Sequence, residues 1–290
     1  MSLATTPATT KASTVNSNNT LTATRARTRG TARPSPLLAT LRYAGHDTVR
    51  HLRMFASVFF ITLLPTAMYL MFGAMTEFGD FDAGSGNVKG SIMVSMAVYG
   101  AIVATTNIAG SAAVEQSQGW GRLLAMTSMS SLRYVCAKVL VALVMAVQPV
   151  VILFAVGYAT GAKIGSPAQW LATFALTVGC SVVFALYGLA FGLFFRSESA
   201  LGAASGLLVI LAFFGNLFTP LTGTLLEIAR FTPIYGVGGL ARWPQLEGAV
   251  LGSIGTTSDS LTWLIANVAA WTLLFGVACM IAMRRRAVRR

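Results

Sequence analysis

Across residues 170–195 the chain carries no charged side chain. A run that long has few folded homes. As an α-helix rising about 1.5 Å per residue, about 20 residues cross the roughly 30 Å hydrocarbon core of a bilayer. The bilayer also narrows the choice of structure, because a lipid-exposed segment satisfies all its backbone polar groups only as a helix or within a closed barrel. Comparable runs occupy residues 54–73, 91–113, 134–160, 200–218 and 263–283, with Pro65 and Pro149 as kink points in the first and third spans. The expected fold class is an all-α polytopic membrane protein with six transmembrane helices. Composition agrees, since 55% of the chain is hydrophobic and 10% is charged, against about 25% charged residues in an ordinary soluble domain.

The segments between the runs are of three kinds. Residues 1–36 are rich in Ser, Thr, Ala, Asn and Arg, end in Pro34 and Pro36, and are expected to form a disordered cytoplasmic tail. In residues 37–53, Leu38, Leu41, Val49 and Leu52 share one helical face while Arg42, His46, Arg50 and Arg53 share another. That pattern predicts an amphipathic entry helix along the inner headgroup layer. Residues 219–262 hold apolar pieces too short to span, broken by Pro220, Pro233 and Pro244. Re-entrant outer helices before the last span fit this stretch.

Charge decides orientation. With the N- and C-termini both cytoplasmic, only Lys89, Lys163, Arg230 and Arg242 of the 21 basic residues fall outside. Six of the nine acids (Glu77, Asp80, Asp82, Glu227, Glu247 and Asp259) fall outside with them. This is the positive-inside pattern of a multi-pass protein of the inner (plasma) membrane. It accounts for the net charge of +12 without nucleic acid, for which no basic, aromatic-interleaved soluble face is present. Glycine pairs at four-residue spacing (Gly157/Gly161, Gly188/Gly192 and Gly202/Gly206) allow helix backbones to approach, within the bundle or at a subunit interface.

Several chemistries lack their residues. The nearest approach to a phosphate-binding P-loop, running from Gly84 to Ser91, lacks the glycine before Lys89 and reads as a flexible outer loop. His46 and His51 are five apart, on different helical faces. Cys136, Cys180 and Cys279 sit in apolar runs without ligand spacing and read as small core residues. No carboxylate pair lies inside a span, so a proton relay lacks its usual groups. Asn107, Gln148, Asn216 and Asn267 are expected to bond across helices. No metal site and no catalytic constellation is expected.

The most informative connection joins spans two and three on the inner side. Glu115, Gln116, Gln118 and Arg122 give it a polar face, Leu123, Leu124 and Met126 an apolar stripe, and Gly119 and Gly121 interrupt its first part. An acid (Glu115), a glycine (Gly119), a short leucine-bearing helix (Arg122, Leu123, Leu124), a loop over residues 126–130 and a base at the next span (Lys138) follow in order. This order resembles the inner connection of permeases of type-2 ABC exporters, with Gln116, Ser117 and Gln118 standing where that family has a denser charge cluster. The outer segment around Phe231, Thr232, Pro233, Ile234 and Tyr235 is similar to the family's re-entrant helical pair.

The resemblance covers nearly the whole chain after residue 37 and implies that residues 37–290 form a permease domain. It implies two permease copies, here as a homodimer, and two copies of a separate ABC ATPase subunit. ATP and Mg would then belong to that partner, with no cofactor and no enzyme activity in this chain. Glu115, Gly119, Arg122, Leu123 and Leu124 would couple to the ATPase. Glu227, Arg230, Pro233, Tyr235 and Arg242 would form an outer gate. A path without buried charges suits an apolar or amphiphilic cargo, such as an antibiotic or other drug, a lipid or a lipid-linked molecule, which connects the reading to antibiotic resistance. The alternatives are a membrane sensor or scaffold signalling to a kinase, and a secondary transporter.

Overall fold

The computed structural model describes residues 45, 48, 55–115, 131–250 and 258–288. The expected tail over 1–36 lies outside them. So does the entry helix, except for Gly45 and Thr48, both helical. Among the described residues the elements are α1 (Phe55–Tyr69), a π-helical turn (Leu70–Ala74), β1 (Asp82–Ala83), β2 (Gly86–Asn87), α2 (Val88–Glu115), α3 (Ser131–Ala159), α4 (Pro167–Cys180), α5 (Val182–Phe195), α6 (Glu198–Phe214), α7 (Gly223–Ala229), α8 (Pro233–Leu246) and α9 (Leu261–Val288). β1 and β2 pair antiparallel, Asp82 opposite Asn87 and Ala83 opposite Gly86.

Among the described residues, four helical stretches are long and apolar enough to cross a membrane: Val88–Glu115, Val135–Ala159, Pro167–Phe195 and Leu261–Arg285. The apolar stretches Ile61–Ala74 and Glu198–Phe214 are shorter. Large apolar side chains stand exposed around the outside, among them Leu64 and Phe72, Val151 on α3, Ile210 and Phe214 on α6, and Leu273 and Leu274 on α9. In water such patches mark binding sites or aggregation liabilities, whereas acyl chains solvate them at no cost. These are the features of an all-α membrane protein.

α2 is the axis of the fold. Its apolar window is 83% buried, against 17% for α9, and it packs against α1, α3, α4, α5, α6 and α8. The sequence permits this because α2 is built largely from Ala, Gly, Ser, Thr and Val. A helix clothed in small side chains accepts neighbours all round. Two of its hydroxyls bond back within the helix, Ser95 Oγ donating to Ser91 O at 3.0 Å and Thr105 Oγ1 to Ala101 O at 2.9 Å, while Thr106 Oγ1 donates across to Phe184 O at 3.3 Å. The closest approach is to α5, where a Cβ on Gly188 would lie 2.1 Å from Thr106 O and one on Gly192 would lie 2.4 Å from Gly110 O. The Gly188/Gly192 pair therefore packs inside the bundle. Gly202 and Gly206 meet nothing within 4 Å and stand on the exposed side of α6.

The fourth apolar run is one stretch long enough to span, as expected, but its helix is interrupted at Ser181, whose hydroxyl turns back to Val178 O at 2.6 Å. Two sequence expectations are corrected. Cys136 is exposed, so it is not a core residue, although Cys279 is. The Gly84–Ser91 stretch is an ordered hairpin leading into α2, not a flexible loop. Asn87 pins it: Nδ2 donates to Gly161 O at 2.9 Å, while Oδ1 accepts from Lys163 N at 2.8 Å and Gly90 N at 2.9 Å. Gly84 makes the turn at φ +62°, a left-handed conformation that glycine adopts without strain.

Polar side chains tie helices together much as expected. Ser205 Oγ on α6 donates to Asn107 Oδ1 on α2 at 3.0 Å, and Gln148 Nε2 on α3 donates to Thr62 Oγ1 on α1 at 3.1 Å. The α2–α5 contact gives a direct test. Gly188→Leu must separate two backbones and is expected to cost about 3 kcal/mol or more, whereas Gly206→Ala should leave stability within about 1 kcal/mol. Thermal unfolding of the purified chain in detergent reads both.

Candidate functional site

Polar chemistry gathers at the hairpin end of the bundle, around α7 and α8. Thr232 caps α8, its Oγ1 accepting from Tyr235 N at 3.3 Å, and Pro233 takes the first helical position, where a missing N–H costs nothing. This is why the chain turns sharply between the two short helices. α9 holds the turn from the side. Asn267 Nδ2 donates to Arg230 O at 2.8 Å and Trp271 Nε1 to Phe231 O at 3.0 Å, from positions four apart on one helical face. Gly236 leaves the space that Asn267 fills, since a Cβ there would lie 2.2 Å from Asn267 Oδ1.

Charged groups interlock over this frame. Arg230 Nη1 donates to Glu227 Oε1 at 2.6 Å, and its Nε lies 2.9 Å from Asp259 Oδ1. The Tyr235 hydroxyl donates to Asp259 Oδ2. Burial first, and then the carboxylate it donates to, push the Tyr235 phenol well above its ordinary range, so it stays a neutral donor. Two turns along α8, Arg242 is only 9% exposed, and its Nη1 donates to Ser95 Oγ on α2 at 3.0 Å and to Asn216 O at 3.1 Å. At the end of α8, Gln245 Nε2 donates to Ala83 O at 3.1 Å and Asn87 O at 2.9 Å, fastening α8 to the hairpin. Gln169, which closes a capping box with Ser166 at the start of α4, reaches Pro244 O at 2.7 Å.

Of the five residues assigned to an outer gate, Glu227 is exposed, Arg230 is half-buried, and Pro233, Tyr235 and Arg242 are buried. Glu227, Arg230 and Tyr235 come together, directly or through Asp259. Arg242 stands apart from them, locked onto α2. The sequence reading missed Asp259 as their hub, Ser95 and Asn216 as the partners of Arg242, and Gln245 as the link to the hairpin. Asp259 carried one available signal, as an acid just ahead of the last apolar run.

At the opposite end of α2 lies the second expected cluster. Glu115 and Lys138 face each other across the connection, Oε2 to Nζ 3.5 Å, with the Lys138 side chain 1% exposed. Gly119, Arg122, Leu123 and Leu124 lie outside the described residues. Lys138 and Arg242 are buried cations, one near each end of α2. Among the described residues no group of three or more His, Cys, Asp or Glu side chains is placed to hold a metal ion.

Comparison with models of protein families and with curated proteins finds no match to this chain. The reading of the site rests on its own geometry. Tyr235→Phe removes one hydrogen bond to a charged acceptor and should destabilise the chain by about 1.5–3 kcal/mol. A shift in the thermal unfolding midpoint, with helical content unchanged by circular dichroism, is the expected result.

Proposed function

We propose that the chain is the membrane permease of an ATP-driven exporter, working as a homodimer with two copies of a separate ABC ATPase. In this reading α1, α2, α3, the α4–α5 pair, α6 and α9 are the six spans. Both termini and the connection over 116–130 face the cytoplasm, and α7 and α8 form the re-entrant pair on the outer side. ATP and Mg act on the partner subunit, and the cargo is an amphiphile such as a drug, an antibiotic or a lipid-linked molecule.

The observation that carries the reading is the placement of α2. One rigid, almost wholly buried helix ends at the Glu115–Lys138 pair, where the cytoplasmic connection begins, and near its other end holds Arg242 of the α7–α8 pair through Ser95. A push on the connection is then delivered to the outer helices by a rod and not by a loop. Closure of the two ATPases would displace the connection, shift α2 along its glycine-lined contact with α5, and strain the Ser95–Arg242 bond that holds α8 down. Packed interfaces of this kind switch between discrete arrangements, so a small displacement can be amplified.

Two experiments test this. Arg122→Glu combined with Leu124→Glu should abolish co-purification of the cognate ATPase and its stimulation by cargo; retention of both sinks the assignment of the joint. Alkaline phosphatase fused at Gly84 should be active and at the C-terminus inactive, and the reverse pattern would place the joint on the wrong side of the membrane for any ATP-driven partner.

A further inference from the structure

A cleft of about 360 Å³ lies where the α7–α8 turn meets the start of α9, lined by Glu227, Arg230, Phe231, Asp259, Ser260 and Trp263. That volume falls at the lower end of the range for small-molecule sites. Two of its walls are aromatic rings set at right angles. The Phe231 and Trp263 centroids are 5.5 Å apart and their planes cross at 87°. Phe231 is nevertheless 64% exposed and Trp263 38%, so ring surface is left over after they have packed on each other. Both backbones are fixed. Trp271 Nε1 donates to Phe231 O at 3.0 Å, and Trp263 N donates to Ser260 Oγ at 3.2 Å, as at a helix N-cap. Asp259 N donates to Gly248 O at 2.9 Å, which holds the segment entering α9. A corner built in advance loses little freedom when a ligand enters it.

The polar wall of the cleft offers one carboxylate oxygen. Asp259 is committed: it pairs with Arg230, accepts from Tyr235 and offsets Arg242 electrostatically. Glu227 is not. One of its oxygens accepts from Arg230 Nη1 at 2.6 Å, the other accepts from no described residue, and the side chain is 63% exposed. Aromatic faces carry partial negative charge. Rings at right angles beside a carboxylate therefore attract an organic cation, the rings through their quadrupoles and the carboxylate through its charge. An anion would meet the same groups with the sign reversed. A bare metal ion would find a single free carboxylate oxygen, far short of a coordination shell.

We propose that this cleft binds a small quaternary ammonium ion, of the size of choline, between the Phe231–Trp263 corner and the free oxygen of Glu227. The inference does not rest on the exporter reading, because it needs neither an ATPase nor a direction of transport. A free choline-type cation and the headgroup of phosphatidylcholine share this chemistry.

The test uses the full chain in phosphatidylglycerol nanodiscs, whose lipid has no ammonium group. Thermal unfolding is followed against choline chloride at constant ionic strength. The wild-type midpoint should rise and saturate, and the uncharged carbon isostere of choline should leave it unmoved. Trp263→Leu should raise the half-saturating concentration about five-fold, and Glu227→Gln should raise it several-fold. Both side chains are exposed, so neither substitution opens the core; should one variant fail to fold, the other decides. A second arm replaces part of the lipid by phosphatidylcholine, with no free choline. Stabilisation by that lipid, lost in the two variants and without a response to free choline, assigns the site to a headgroup. A response to choline in phosphatidylglycerol assigns it to the free ion. Three results overturn the proposal: a flat wild-type response in both arms, an equal response to the isostere, or a response unchanged in the variants.

Discussion

The fold depends on one close approach, α2 against α5, where Gly188 and Gly192 bring the two backbones into contact with Thr106 and Gly110. In a bilayer, lipid tails are as apolar as leucine, so burying large side chains gives helices little reason to associate. Close backbone contact, with its dense van der Waals packing, supplies part of that reason instead. Once α5 is seated, α2 is enclosed on every side, and the larger apolar residues of α1, α3, α6 and α9 are left to face outward. The division between a small-residue centre and a bulky periphery inverts the arrangement of a water-soluble core.

At the hairpin end polar bonds take over the work of cohesion. Asn87, Gln169, Arg242 and Gln245 each bind backbone carbonyls from a different element. α7 is too short to hold itself, and α8 contains three glycines and an internal proline. These connections make α8 part of the bundle. They also make it conditional, because a bond such as Arg242 to Ser95 can be exchanged without repacking the apolar surface.

Much of this was legible in the residues. Apolar runs over 91–113, 134–160 and 263–283 gave helices within a few residues of their observed ends, because an uninterrupted run of twenty apolar residues has one outcome in lipid. Thr232–Pro233 starts α8 through ordinary capping chemistry, a local signal that the sequence reading did not use. The hairpin was misread because glycine and serine read as freedom, while Asn87 is held by groups 74 and 76 residues distant in the chain. Asp259 was seen only as an outer charge, since nothing local says that an acid ahead of a span will reach back to Arg230 and Tyr235.

Sequence alone determined that the chain is apolar enough for a bilayer and helical within it, because both follow from local transfer free energies and backbone satisfaction. Tertiary structure decided which glycine pair packs inward and which stays exposed, which arginine is sealed against α2, and which carboxylate joins Arg230 to Tyr235. Gly188/Gly192 and Gly202/Gly206 carry the same spacing in sequence; only the neighbour that each meets tells them apart. Periodicity records which residues share a face, but the identity of what lies across that face is a long-range fact, written in the packing.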